Sequence, residues 1–527
     1  MPSYDRLHER IERLAGAGAG EALRAGLRGV EKESLRASPA GRLAQTPHPA
    51  ALGSALTHPL LTTDYSEALL EFVTPPFHHR SEVLDTLGNL HRFVARNIGD
   101  ELLWAASMPC AIESDESIPI ARYGASNSGR LRHVYRVGLG HRYGRMMQVI
   151  AGVHFNYSLA PGFWPILSET GAAHGEHRTW HGTGRALADS HYFGLIRNLF
   201  RHGWLLLYLF GASPALSRSF LPDGAPELEP FDEETWFAPF GTSLRMSDIG
   251  YTNRIPGGIG IRYDDLYSYA ASLYRAISTA HPPWEALGVR RGGEYRQLNS
   301  NLLQMENEYY SSVRPKQPTR RGERPTEALQ RRGVRYVELR SIDLDPAAPL
   351  GLTEDRMAFL EVFMLFCLLV DSPPLGAQER RAIDVNQKRV AVRGRDPSAT
   401  LMRDGIEVPL RSWANEILEE LTAVAELVRT ADDDPAAVIR AAGASIGQPD
   451  ATPSARVLEE MGASGGSYFE YVLELSRRHS DTLRREPLPT AERARLEEEA
   501  ARSVVRQTAL EAGDTVSFEE YLTDYFA

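Results

Sequence analysis

The sequence contains little cysteine and no long apolar segment. Only Cys110 and Cys367 occur among 527 residues, too few and too widely spaced for a disulfide framework or a CxxC zinc site. The longest apolar run, at 357–370, includes Glu361 and is too short to cross a bilayer. We therefore expect a cytoplasmic protein without a membrane span, in which both thiols pack in the core and the apolar run forms a buried helix.

An excess of positive charge is also absent. The formal net charge is -11 and the isoelectric point is near 5.9, whereas nucleic-acid binders present surplus lysine and arginine to phosphate. The first residues, MPSYDRLHERIERL, carry charges where a signal peptide requires its apolar stretch. These features predict small-molecule partners, no nucleic acid, no membrane and no export.

Several common site motifs are missing. The AGAGAG stretch at 15–20 follows no apolar strand and lacks the GxGxxG spacing of a dinucleotide site. No HExxH or paired cysteines support a zinc hydrolase. His174, His177 and His181 have the spacing of a helical metal site, but the glycines and threonines among them predict a surface loop.

The predicted secondary structure changes near residue 375. Before it, short strand-like runs alternate with helical stretches and Gly/Pro turns, which is typical of a sheet decorated by helices. After DSPPLGAQ at 371–378, charged amphipathic helix patterns dominate. We predict a catalytic core at 1–375 and a helical region at 376–527 that packs on it.

Acidic residues recur on strand-like segments. In LRGVEKESLRA at 27–37, Glu31 and Glu33 would project from one face of a strand, about 7 Å apart. In TTDYSEALLEFVTPP, interpreted as one strand, Glu71 shares a face with another acid, Glu67. In VRYVELRSIDLDP, Glu338 shares its face with an arginine two residues later. A buried carboxylate must protonate, pair or bind a cation, because an unpaired one is costly.

A fourth strand-like segment, MMQVIAGVHFNYSLA, would align Gln148, Ile150, His154 and Asn156 on one face. An antiparallel sheet could gather the acids and the imidazole into one oxygen-rich cluster, which suits Mg²⁺ or Mn²⁺ better than zinc. The members of this cluster would be Glu31, Glu33, Glu71, Glu338 and His154. Taken singly, each acid also fits a solvated or salt-bridged strand residue. Recurrence on separate segments favours the metal site.

Arginines and tyrosines are concentrated between residues 122 and 145. The six arginines are Arg122, Arg130, Arg132, Arg136, Arg142 and Arg145, and the tyrosines are Tyr123, Tyr135 and Tyr143. Most of the arginines fit a helix surface. Any that enter the metal site would clamp carboxylates or phosphates in bidentate fashion. The segments TSLRMSDIGYTN and ENEYYSSVRPKQPTRRGE have the composition of substrate-facing loops.

These segments together resemble a known family. The motifs are GVEKESLR, ALGSALTHPLLTTDYSEALLEFVTP, SMPC, YGASNSGR, YRVGLGHRYGRMMQVIAGVHFNYSL, FGASPA, TSLRMSDIGYTN, LNSNLLQMENEYYSSVRPK and YVELRSIDLDP. In this order they resemble the proteobacterial type of glutamate–cysteine ligase, also called γ-glutamylcysteine synthetase, the first enzyme of glutathione synthesis. The resemblance is strong over residues 25–375 and looser in the C-terminal part.

The resemblance implies an α+β fold with an antiparallel half-barrel sheet of the glutamine-synthetase type, surrounded by helices. It implies ATP-dependent ligation of the glutamate γ-carboxylate to the cysteine amine through an acyl phosphate. The implied cofactors are ATP and Mg²⁺, with Mn²⁺ as an alternative, and glutathione is an implied feedback ligand.

Site residues follow from the matched motifs. The implied metal ligands are Glu31, Glu33, Asp64, Glu71, His154 and Glu338. Arg340 resembles the family's phosphate-facing catalytic arginine. The implied substrate-binding residues are Tyr135, Arg136, Gln148, Ile150, Arg245, Tyr251 and Tyr310.

Two other functions remain open at this stage. A ligase of the same fold could join glutamate to a different amine, although the presence of Tyr251 and Tyr310 favours cysteine. A noncatalytic binding protein could keep the fold, but such a protein would tolerate loss of a metal acid, and every matched acid is present.

Overall fold

The computed structural model describes residues 4–172, 184–250, 259–320 and 322–526. The strands within these ranges are β1 Leu27–Ala37, β2 Leu61–Thr63, β3 Leu69–Val73, β4 Leu102–Leu103, β5 Val153–Ser158, β6 Ala215–Ser217, β7 Glu229–Pro230, β8 Thr235–Phe237, β9 Arg290–Arg291, β10 Glu294–Tyr295, β11 Val313–Lys316, β12 Tyr336–Ile342, β13 Thr400–Arg403 and β14 Ile406–Pro409.

The helices within the same ranges surround the main sheet. They are α1 Asp5–Gly16, α2 Gly20–Arg24, α3 Arg80–Asn97, α4 Asn127–Tyr143, α5 Phe163–Glu169, α6 Gly184–His202, α7 Trp204–Phe210, α8 Leu266–Ser278, α9 Pro282–Leu287, α10 Pro325–Arg332, α11 Glu354–Leu369, α12 Ala377–Arg393, α13 Leu410–Val428, α14 Pro435–Gly447, α15 Pro453–Ser464, α16 Tyr468–Arg485, α17 Thr490–Ala512 and α18 Phe518–Phe526.

The main sheet has seven antiparallel strands in the order β11-β12-β5-β1-β3-β2, with β4 also paired to β1. Strand β1 spans the same residues as the predicted acidic strand, which confirms that prediction. Its front face carries Glu31 and Glu33, and its back face carries Val30 and Lys32. Pro315 lies in β11, at the edge of the sheet, where a missing N–H is tolerated.

The single strand predicted for TTDYSEALLEFV is wrong. It is a hairpin, in which β2 ends before Asp64 and β3 begins at Leu69, and the Asp64 N–H donates to the Leu69 carbonyl at 3.0 Å. Short polar residues favour turns over a continuous strand here. Glu67 therefore lies in the turn, where its carboxylate accepts from the backbone N–H groups of His48 at 2.9 Å and Arg122 at 2.8 Å.

The single strand predicted for MMQVIAGVHFNYSLA is also wrong. Residues 146–149 form a 3₁₀ turn, and β5 begins only at Val153. Gly152, just before β5, lies against the Arg245 guanidinium, where a Cβ would be 2.1 Å from Nη2. Gln148 and Ile150 do not extend the strand, whereas His154 and Asn156 do share its front face.

Helices α3 and α11 cover the back face of the sheet. The His91 ring of α3 stacks on Phe72 of β3 with centroids 4.0 Å apart. Glu361 of α11 accepts a hydrogen bond from Nε of Arg28 on β1 at 2.8 Å. Covering one face with helices leaves the other free to carry polar groups.

The predicted buried helix and core thiols are confirmed. Thr353 caps α11 by accepting from the Arg356 N–H, and every residue of the helix from Arg356 to Leu369 is buried. Cys110 and Cys367 are free and fully buried. Among the described residues, no helix has the length and apolarity to cross a membrane.

The region after residue 376 is mostly helical and also contains the β13–β14 hairpin. Asp404 and Gly405 have φ of 54° and 82°, values that a two-residue hairpin turn requires and that an Asp-Gly pair adopts readily. Buried side chains of α13, such as Trp413 and Leu421, belong to the same hydrophobic core as those of α11.

Candidate active site

A cavity of about 420 Å³ opens on the front face of the sheet. Helix α4, the 305–325 segment and strands β1, β3, β5 and β12 supply its walls. The predicted site residues that line it are Glu31, Asp64, Glu71, Tyr135, Arg136, Gln148, His154, Tyr310, Glu338 and Arg340.

Strand register brings the charged residues together. Glu31 lies opposite His154 across β1 and β5, and its carboxylate is 3.2 Å from His154 Nδ1. Glu33 lies opposite Glu71 across β1 and β3. Asn156, which pairs with β12, donates from Nδ2 to Glu31 at 2.9 Å. Directly opposed residues in antiparallel strands have Cβ atoms about 5 Å apart, so the register alone creates a cluster.

Three of these residues have the geometry of a metal site. Glu31, Glu71 and His154 each offer a ligand atom, and these atoms lie within 4.8 Å of one another. Glu33 lies 3.7 Å from His154 Nε2, and Glu338 lies 4.0 Å from His154 Nδ1. The predicted ligands on β1, β3, β5 and β12 thus converge around one imidazole.

Asp64 stands at the rim of this cluster. Its side chain is 41% exposed, and its nearest cation is Arg136, with Nη2 at 4.0 Å from Oδ1. Arg136 also donates from Nε to the Asp64 carbonyl. This contact joins α4 to the turn after β2.

The carboxylates repel one another. Burial, followed by the nearby charges of Glu31, Asp64 and Glu33, raises the pKa of Glu71 well above its usual value. Burial also raises the pKa of Glu33. A divalent cation would remove this repulsion. The donor set of carboxylate oxygens with one imidazole therefore fits Mg²⁺ or Mn²⁺.

The pKa of Glu338 is shifted in the opposite direction to those of Glu71 and Glu33. Burial by itself would raise its pKa, but Lys316, Arg340 and His154 outweigh burial and hold the pKa well below its usual range. The Lys316 ammonium lies 3.0 Å from Oε1, and Nη1 of Arg340 lies 3.2 Å from Oε2. Nε of Arg340 is buried with no hydrogen-bond partner among the described residues, so the guanidinium retains a donor for an anion.

Sequence reasoning missed the role of β11. The sequence predicts Arg314 and Lys316 in a substrate-facing loop, but they lie on an edge strand, and Arg314 is in register with Glu338 of β12. The two cations have the i, i+2 spacing of one strand face. Pro315 between them concealed this signal, because proline argues against a central strand but not an edge strand.

Two predicted substrate residues do not line the cavity. Ile150 is buried beside it. Arg245 is also buried, where its Nη2 donates to the Arg340 carbonyl at 2.7 Å and its Nη1 lies 3.8 Å from Asp343. In this arrangement Arg245 supports the backbone of Arg340.

Other predicted positions cannot be placed. Tyr251 lies outside the described residues, as do His174, His177 and His181.

One of the six arginines between residues 122 and 145 is fully buried. Arg142 of α4 and Glu308 have fully buried side chains and form an ion pair at 2.7 Å. Glu308 also accepts from the Tyr143 hydroxyl at 2.8 Å and from the Gln304 N–H at 2.7 Å. These contacts fix the end of α4 against the 297–308 segment and so hold one wall of the cavity.

The cluster combines hard oxygen ligands, one imidazole and several cations at the base of an open cavity. Such an arrangement can neutralise a polyphosphate and bring a carboxylate beside it. It therefore suits the class of enzymes that transfer a phosphoryl group.

Comparisons with known proteins identify the family. The family model for glutamate-cysteine ligase matches residues 11–390. A curated glutamate–cysteine ligase of Azotobacter vinelandii is 48% identical over 99% of this chain and 98% of its own length, and one of Pseudomonas aeruginosa is 46% identical over the same shares. The chain belongs to the glutamate–cysteine ligase family, and it is an ATP-dependent ligase that forms carbon–nitrogen bonds. The resemblance inferred from the motifs is confirmed.

A solved structure of a glutamate–cysteine ligase has the same fold as this chain. The glutamate–cysteine ligase of Francisella tularensis, determined in complex with AMP, superposes with a TM-score of 0.89 at 34% identity, covering 95% of this chain and 97% of that one. The mixed α/β architecture, with an antiparallel sheet and many helices, is therefore the architecture of this family.

Proposed function

We propose that this protein joins the γ-carboxylate of L-glutamate to the amine of L-cysteine, with ATP as the phosphoryl donor. The observation that carries the proposal is the cluster of Glu31, Glu71, His154, Glu338 and Arg340 at the base of one cavity. Nearly full-length similarity to curated glutamate–cysteine ligases supports the choice of substrates. The AMP bound by the Francisella relative supports a nucleotide.

The reaction would proceed in two steps. The γ-phosphoryl group of ATP passes to a γ-carboxylate oxygen of glutamate, which yields γ-glutamyl phosphate and ADP. The neutral amine of cysteine then attacks the acyl carbon. The C–N bond forms, the C–O bond to phosphate breaks, inorganic phosphate leaves, and the proton released by the amine passes to solvent. Arg340 would stabilise the transferring phosphoryl group, since its guanidinium has an unpaired buried donor.

We assign the metal ligands to Glu31, Glu33, Asp64, Glu71, His154 and Glu338. A magnesium ion held by these residues would neutralise the charge of phosphate oxygens. Burial and then the neighbouring carboxylates raise the pKa of Glu71, and the clustering of these carboxylates with His154 supports a cation site. Tyr135, Arg136, Gln148 and Tyr310 would contact the amino acids, with Ile150, Arg245 and Tyr251 as further candidates.

Product analysis tests the reaction. Purified protein is supplied with ATP, Mg²⁺ and glutamate, together with cysteine, 2-aminobutyrate, ammonia or no amine, and each product is identified by its mass. We expect γ-glutamylcysteine as the dominant product and little ATP turnover without an amine. Turnover only with another amine would replace cysteine as the substrate. No turnover with either Mg²⁺ or Mn²⁺ would contradict the proposed function.

The metal assignment predicts the effect of Glu71→Gln. Loss of this charge removes an oxygen anion from the cluster, so the Mg²⁺ concentration for half-maximal rate should rise by about tenfold or more. Glu67→Gln is the matched control, because Glu67 lies in the adjacent turn and does not line the cavity. Equal Mg²⁺ requirements in the two variants would exclude Glu71 as a ligand.

We make further inferences about the fold, the location and the regulation of the protein. We infer a half-barrel sheet of the glutamine-synthetase type, a catalytic core at 1–375 and a helical region at 376–527. Two free, buried thiols support a cytoplasmic location. Glutathione, which contains the γ-glutamylcysteine product, would bind as a feedback ligand where the amino acids bind.

A further inference from the structure

The end of the chain is bound to the start of helix α4. The backbone N–H of Asn127 donates to the Asp514 carboxylate, and its Nδ2 donates to the Val516 carbonyl at 3.0 Å. The Ala125 N–H donates to Glu511 at 2.9 Å. The approach is close, because a Cβ at Gly124 would lie 2.3 Å from the Glu511 carboxylate. These contacts place α18 beside α4.

Helix α18 then packs on α4 through a hydrophobic cluster separate from the main core. Phe518 and Leu522 are buried there with Leu131 and Met305. The guanidinium of Arg130 lies 4.4 Å from the centre of the Phe518 ring. Apolar and cation–π contacts of this kind hold a terminal helix that would otherwise fray.

The last turn of α18 reaches the active-site cavity. Tyr525 lines it together with Leu131, Met305 and Pro325, which gives this part of the wall an apolar, aromatic surface. The Tyr525 ring also lies 5.1 Å from the Phe526 ring and is perpendicular to it. Tyr525 of α18 is therefore part of the cavity wall.

Cations connect this wall to the carboxylate cluster. Arg132 of α4 lines the cavity together with Glu71 of the cluster. Arg314 and Lys316 line the same cavity. A flat ring against Tyr525 would thus share one cavity with several cations and with the carboxylate cluster. Among ATP, glutamate and cysteine, only ATP has an aromatic ring joined to a polyphosphate.

We propose that the purine ring of the nucleotide stacks on Tyr525, so that the C-terminal helix is part of the nucleotide subsite. This inference rests on the proposed use of ATP at this site. Base stacking on a tyrosine tolerates Tyr→Phe and is lost in Tyr→Ala.

Kinetics with two variants provide the first test. Tyr525→Ala should raise the KM for ATP about tenfold and leave the KM values for glutamate and cysteine within about twofold, whereas Tyr525→Phe should match the unaltered protein. Thr523→Ala, an exposed position on the same helix, is the control for helix packing. An unchanged KM for ATP in Tyr525→Ala would overturn the proposal, as would an equal rise in all three KM values.

Binding provides a readout without turnover. Calorimetric titration with AMP should show weaker binding to Tyr525→Ala, while titration with inorganic tripolyphosphate should be unaffected. Loss of both affinities, or of neither, would overturn base stacking. Because this measurement does not need ligase activity, failure of the proposed function and failure of the stacking proposal are distinguishable.

Discussion

Replacing Arg340 with glutamine should lower kcat by about 10²- to 10³-fold, with a much smaller effect on the KM for cysteine. A preorganised donor aimed at developing charge acts mainly in the transition state, and removal of one such donor has an effect of this size. Arg340 lines the cavity, pairs with Glu338 at 3.2 Å and retains a buried Nε donor without a partner. Steady-state rates at saturating ATP and glutamate measure the effect.

Two further variants make the interpretation specific. Arg340→Lys keeps the charge but not the planar donor geometry, so it should recover only part of the rate. Arg335→Gln removes an exposed arginine just before β12 and should leave kcat unchanged. A rise in KM alone, with normal kcat in Arg340→Gln, would show that the residue binds substrate without stabilising the phosphoryl transfer.

The largest expected effect on stability comes from Arg142→Met. This change leaves the Glu308 carboxylate buried without its cation, and breaking a buried pair in this way typically costs about 3–5 kcal/mol. Both side chains are fully buried, and Glu308 also accepts from Tyr143 and Gln304. The midpoint of thermal unfolding should fall clearly.

An exposed ion pair offers the matched control. Arg42 and Glu113 form a pair with side chains 66% and 71% exposed, so Arg42→Met should shift the unfolding midpoint very little. Adding Glu308→Leu to Arg142→Met should recover part of the loss, because the second change removes the unpaired charge. Equal shifts for the Arg142 and Arg42 variants would contradict a special cost of burial.

The predicted site depended on two kinds of information. The i, i+2 spacing of Glu31 and Glu33 on β1 is a local property of the chain, and the structure has that strand with the predicted bounds. Asp64 and the substrate-binding residues came from the family motifs. No local pattern indicated Asp64, which lies in a turn, and the alternating pattern that included Gln148 failed because Gln148 lies in a 3₁₀ turn before β5.

Errors occurred where local patterns were ambiguous. An alternating pattern continues across Asp64–Glu67 and across Gly152, so each segment predicts one strand. The structure instead has a turn after β2 and a 3₁₀ turn before β5. The same ambiguity concealed β11, where one proline hid a strand with two cations on the same face.

The sequence by itself determined the elements that depend on neighbours in the chain: the acidic strand β1, the buried helix α11, the core thiols and the family. Only the tertiary structure decided that Arg142 is buried with Glu308, that Arg245 lies under the Arg340 carbonyl and that Tyr525 reaches the cavity. The physical reason is separation along the chain. Periodicity and turn chemistry act over a few residues, whereas these contacts join residues more than 90 positions apart, and their geometry exists only after the sheet and helices have packed.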